Sequence, residues 1–121
     1  MSDKKTVLIV DDDPDSRHTS KAILEAAGYR VLTAVDSIDG EATVKAEDPD
    51  VILLDVMMEE VDAGFVLTEK LGETYPIVLL SSIANSSVKI FDIHELPAKG
   101  ILQKPVDPAQ LLETVGKAIA E

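Results

Sequence analysis

The sequence predicts an α/β domain with a doubly wound, five-stranded parallel sheet, in the chain order (βα)5. Two observations carry this expectation. Five short runs rich in branched apolar residues, Thr6–Val10, Tyr29–Ala34, Val51–Leu54, Pro76–Leu80 and Gly100–Gln103, are each bounded by Gly, Pro, Asp or Ser. The segments between them carry apolar residues at helical spacing, which gives parallel strands joined by right-handed crossovers with helices on both faces.

Taken in order, the first run is apolar from Val7 to Val10, as suits a strand covered on both sides. Asp13 as N-cap, Pro14 at the first helical position and Gly28 as a stop frame a helix over about 14–27. After the second strand, a helix over about 37–46 turns Ile38, Ala42 and Val44 inward and ends before Pro49. Val51–Leu54 is the most apolar run and is expected at the centre of the sheet. A third helix runs from about Asp62 or Gly64 to Leu71, with Phe65, Val66 and Leu67, and stops at Gly72. Between Ser81 and Lys99 the residues Val88, Ile90, Phe91 and Ile93 keep no clean period. Pro97 also bars a long helix from running into the fifth strand, so a short or irregular fourth helix is expected there. A last helix over about 108–120 follows Asp107 as its cap and shows Leu111, Leu112, Val115 and Ile119 on one side.

Composition narrows the function. A chain of 121 residues holds one domain with a single core. Without cysteine, disulfides, thiolate catalysis and zinc–thiolate sites are excluded. No apolar stretch reaches the ~18 residues of a membrane span, and MSDKK has no apolar region behind it, so a cytoplasmic protein is expected. A net charge of −12 with no Lys/Arg cluster repels a phosphate backbone, which argues against direct nucleic-acid binding.

The polar chemistry gathers at strand ends. Asp11-Asp12-Asp13 follows the first strand, Asp55 the third, Ser81-Ser82 the fourth, and Lys104, before Pro105, the fifth. In parallel α/β sheets ligands bind just beyond these carboxyl ends. Asp13 is accounted for as a helix cap. Asp11 and Asp12 add repulsion without improving that cap, which points to a metal role. Asp55 ends the expected central strand. Ser81 is a candidate donor, although a turn hydroxyl explains Ser82 as well. Proline after Lys104 keeps its backbone extended and aims its side chain along the strand. His18 and His94 lack partners at metal-ligand spacing and are read as surface or boundary residues.

The segments VLIVDDDPDSRHTSKAILEAAGY, VILLDVMM, LLSS and LQKPVDP resemble, in order and separation, the receiver domain of two-component response regulators. The resemblance spans about Val7 to Ile119. It implies a flavodoxin-like fold and a single receiver domain over residues 1–121 without an output domain. It also implies a signalling switch that is not an enzyme on a diffusible substrate. Asp55 matches the phosphoacceptor, and Asp11 and Asp12 match the acidic pair for Mg2+. The backbone carbonyl of Met57 matches a further metal ligand of that family, and Ser81 and Lys104 match the hydroxyl and lysine of the site. The implied partners are a sensor histidine kinase or phosphotransfer protein and a downstream protein that reads the surface of the fourth helix, fifth strand and last helix. A weak homodimer through the last helix is compatible but not demanded by any pattern.

Chemistry favours the same set, because a carboxylate attacking a phosphoryl group is repelled unless a divalent ion and a lysine offset the charge. Departures from the family pattern are local. Ile101 stands where a Tyr or Phe is usual, and the turn after Asp55 reads Met58-Glu59-Glu60, with Asp62-Ala63 and Gly64 displaced. Apolar Met57 and Ile83 beside the expected phosphate suggest slow hydrolysis of the phosphorylated state. A rival reading, a haloacid dehalogenase-type phosphatase, finds its Asp-x-Asp spacing in Asp11 and Asp13, but the chain lacks room for a cap domain. A second rival, an interaction module without the chemistry, conflicts with the complete set of acid, hydroxyl and lysine.

Overall fold

The computed structural model describes residues 4–55, 67–82 and 98–120, with the side chain of Ser82 left out. Within these, β1 (Thr6–Val10), β2 (Arg30–Ala34), β3 (Val51–Asp55), β4 (Ile77–Ser82) and β5 (Gly100–Lys104) form one sheet of order β2-β1-β3-β4-β5, every pair parallel. The predicted central run is the central strand. Three strands extend beyond their apolar runs to include Asp55, Ser81-Ser82 and Lys104, so these residues are held by the ladder rather than by loops.

Alternation along the strands divides the core. Val7, Ile9, Val51, Leu53, Val78, Leu80 and Leu102 face one side, packed with Leu24 of α1 (Pro14–Ala26) and Leu111 and Val115 of the C-terminal helix (Pro108–Ala120). Leu8, Val10, Ile52, Leu54, Ile77 and Leu79 face the other, against Val44 of α2 (Ser37–Glu47) and Leu67, at the start of the helical residues 67–71. Each fully buried Leu or Ile contributes about 1.5–3 kcal/mol of transfer free energy, so both faces contribute to holding the sheet between its helices.

Local chemistry sets the helix ends. Asp13 Oδ1 accepts from the Asp15 amide at 3.0 Å and caps α1, while Gly28, at φ +100°, takes a conformation that L side chains rarely adopt and turns the chain toward β2. Asp107 Oδ2 accepts from the Gln110 amide at 3.0 Å and caps the C-terminal helix. In α2 the inward face differs from the expected one. Ile38 is 81% exposed and Ala42 is exposed, whereas Gly40 and Val44 are buried. The cause is close approach: a Cβ at residue 40 would meet the Val10 methyls at 3.0–3.1 Å, so α2 lies on β1 through its glycine and the i+4 valine. His18 is exposed as expected. Residues His94, Val88 to Ile93, Phe65 and Val66 lie outside the described residues, as do most of the expected third and fourth helices.

Candidate functional site

The face-by-face alternation also aims the site. Ile9 is followed on its face by Asp11, Leu53 by Asp55, and Leu102 by Lys104, so three strands extend the same core row by one charged residue at the carboxyl edge. These side chains meet. Lys104 Nζ donates to Asp55 Oδ2 at 2.8 Å and lies 3.0 Å from Asp11 Oδ2. Asp11 is fully buried, Asp55 is 2% exposed and the Lys104 side chain is 18% exposed, so the ion pairs are poorly screened by solvent.

Burial pulls the Lys104 ammonium toward a lower pKa, but its contacts with Asp55 and then Asp11 outweigh that and raise it above the ordinary lysine value. The lysine is therefore a fixed positive charge at neutral pH. The buried Asp11 Oδ2 has the Lys104 ammonium 3.0 Å away. Asp11 Oδ1 accepts from the Asp13 amide at 3.0 Å.

Asp12 joins the cluster from an exposed position, with one carboxylate oxygen from each of Asp11, Asp12 and Asp55 all within 4.8 Å of one another. Three carboxylates facing one lysine leave surplus negative charge. A hard divalent cation with oxygen ligands suits that set of three carboxylate oxygens within 4.8 Å of one another. The residues present thus fit Mg2+. Met57, the expected carbonyl ligand, lies outside the described residues, as do Ile83 and the turn from Met58 to Gly64.

Ser81 is 3% exposed on β4, one residue beyond the Leu80 that pairs with Asp55. Beside Lys104, whose peptide bond to Pro105 is cis, a groove of about 460 Å³ opens between the start of α1 and the chain after β5. Asp13, Ser16, Thr19, Lys104, Pro105 and Val106 line it. One contact escaped the sequence reading: Arg17 Nη1 donates to the Asp11 carbonyl at 2.8 Å. An arginine in the first turns of a helix ordinarily points to solvent, and nothing in the sequence marks this one.

A doubly wound parallel sheet whose carboxyl edge joins two buried aspartates and a lysine has the flavodoxin-like receiver fold. The family model described as "Response regulator receiver domain" matches residues 7–116. The chain is 34% identical to Protein PilH of Pseudomonas aeruginosa over 94% of this chain and 97% of that protein. It is 35% identical to the DNA-binding dual master transcriptional regulator RpaA of Synechocystis sp. over 90% of this chain, but spans only 46% of RpaA's length. Among solved structures, a response regulator from Chloroflexus aurantiacus superposes with a TM-score of 0.86 at 28% identity, covering 98% of this chain and 99% of that one.

The chain belongs to the response regulator receiver domain family. Its role is that of a phosphoryl-accepting signalling switch, not a classical enzyme. Membership removes the phosphatase rival, and Asp13, which that reading needed as a catalyst, is engaged in capping α1. Among the described residues no helix is long and apolar enough to cross a membrane.

Proposed function

We propose that Asp55 receives a phosphoryl group from a phosphohistidine on a sensor histidine kinase or phosphotransfer protein. Asp55 oxygen forms the new bond to phosphorus, the phosphorus–nitrogen bond breaks, and the imidazole leaves with its electron pair. The observation that carries this reading is the Lys104–Asp55 contact of 2.8 Å inside a buried acidic cluster. Lys104 holds the acceptor carboxylate in one orientation and is positioned to share its ammonium with a phosphoryl oxygen as charge moves there. Asp11 and Asp12, with Asp55 and the carbonyl of Met57, would hold Mg2+, which would supply the charge neutralisation that lets two anions approach.

Phosphorylation brings about −1.5 to −2 charges to this edge. Ser81 donates to a phosphoryl oxygen, and the end of β4 shifts with it. The change then reaches β5 and the C-terminal helix, where a downstream protein binds. Ile101 on β5, 36% exposed and paired with Leu79, takes the place of the usual aromatic in that relay. The receiver domain does not itself bind nucleic acid, consistent with the charge of −12.

Incubation with acetyl phosphate and Mg2+ followed by intact-mass measurement tests the reading. Gain of one phosphoryl group by the wild type and none by Asp55→Asn supports it. Equal gain in both proteins, or none in either, overturns it.

A further inference from the structure

Arg17 stands among acids yet binds none of them. Asp11, Asp12, Asp13 and Asp15 surround its segment of chain, but among the described residues Arg17 forms no ion pair, and its guanidinium instead donates to the Asp11 carbonyl at 2.8 Å. That carbonyl belongs to the peptide joining Asp11 to Asp12. Asp11 itself is held at every polar group. Its amide donates to the Ala34 carbonyl at 3.1 Å, Oδ1 accepts from the Asp13 amide at 3.0 Å, and Oδ2 lies 3.0 Å from Lys104.

Asp12 is the opposite case. Its side chain is exposed and, among the described residues, its carboxylate has no hydrogen bond or ion pair of its own. What brings it within 4.8 Å of Asp11 and Asp55 is therefore the backbone, and the peptide plane preceding it is the one that Arg17 fixes. The base of the arginine is itself anchored, because its amide donates to the Asp13 carbonyl at 2.9 Å in the capped first turn of α1.

We infer that Arg17 is a positioning residue for the acidic pair: it locks the Asp11–Asp12 peptide so that the unrestrained Asp12 carboxylate faces the same point as Asp11 and Asp55. The inference rests on the reading of these three acids as a Mg2+ site. Its direction can be separated from plain electrostatics. Removing a nearby positive charge should, by Coulomb attraction alone, make a dication bind more tightly. Loss of a positioning contact makes it bind more weakly, and outer contacts of this kind are worth about tenfold in metal affinity.

Calorimetric titration of Mg2+ into wild type, Arg17→Ala, Arg17→Lys and Lys21→Ala tests this. Lys21 lies on the same helix and, among the described residues, forms no hydrogen bond or ion pair with the acidic loop, so its removal reports the effect of charge. The expected result is about tenfold weaker Mg2+ binding by Arg17→Ala, recovery of most of that loss by Arg17→Lys, and unchanged or tighter binding by Lys21→Ala. In acetyl phosphate reactions, Arg17→Ala should need more Mg2+ for half-maximal rate and reach the wild-type rate at saturation. Arg17→Met, which keeps the aliphatic length, takes the place of Arg17→Ala if the alanine variant does not fold. Mg2+ binding by Arg17→Ala as tight as wild type, or tighter as for Lys21→Ala, overturns the inference while leaving the proposed function standing. A wild type that neither binds Mg2+ nor gains a phosphoryl group overturns both.

Discussion

Along the amino edge of the sheet, where the strands begin, acids close local obligations. Asp50 Oδ2 accepts from the Thr6 amide at 2.7 Å, Asp48 Oδ1 accepts from the Tyr75 hydroxyl at 2.7 Å, and Glu47 pairs with Arg30 at 3.2 Å. Along the carboxyl edge Asp11 and Asp55 converge on one lysine, and Asp12 brings a third carboxylate oxygen within 4.8 Å of theirs. An acid with its own donor supports the fold. Acids gathered with too few donors work against it, and that surplus is what marks a site for a cation and an anionic group.

The contrast can be broken most forcefully at Lys104. Lys104→Met removes the cation from two buried carboxylates, and thermal or urea unfolding should show a loss of about 2–3 kcal/mol, below the full value for a buried pair because the lysine is partly exposed. A stability equal to wild type would mean that the carboxyl edge is no more strained than the amino edge. Next in size is the ligand itself: Mg2+ at about 100 times its Kd should stabilise the wild type by about 2.7 kcal/mol, and Asp12→Ala should lose most of that gain.

Acid removal at the two edges sharpens the comparison because the signs differ. Asp50→Ala strips the Thr6 amide of its partner and should destabilise by about 1–2 kcal/mol in urea unfolding. Asp12→Ala relieves repulsion and should stabilise the metal-free protein by less than about 1 kcal/mol. Destabilisation by both would erase the distinction. The smallest effect at ordinary pH is titration of Lys104. Its pKa is raised in the folded state, so the stability it contributes is fully present below the ordinary lysine value of 10.5 and is lost only as pH rises through the higher folded value. The stability advantage of wild type over Lys104→Met should therefore stay level from neutral pH upward and shrink only in strongly alkaline buffer.

Much of this organisation is legible in the residues because two simple periods govern it. Short branched runs gave the five strands, and the same alternation that buries Ile9, Leu53 and Leu102 carries Asp11, Asp55 and Lys104 to one side of the edge. Caps at Asp13 and Asp107 were visible because their chemistry is local. What depends on the approach of two elements was not visible. Ile38 and Ala42 looked inward by spacing, yet contact between Gly40 and Val10 sets the phase of α2. The Arg17–Asp11 bond likewise needs a helix to fold back over a loop, and a six-residue separation leaves no periodic trace of it. The position of Ser81 at the end of β4 was legible; its partners during signalling depend on a state of the domain that carries phosphate.

The most direct measurement locates the phosphoryl group. Protein treated with acetyl phosphate is reduced with borohydride, which converts an aspartyl phosphate to homoserine, and the peptides are read by mass spectrometry with and without Mg2+. Conversion at Asp55, dependent on Mg2+, is the expected result. Conversion at Asp11, Asp12 or another acid, or labelling of Asp55 that is indifferent to Mg2+, would contradict the account.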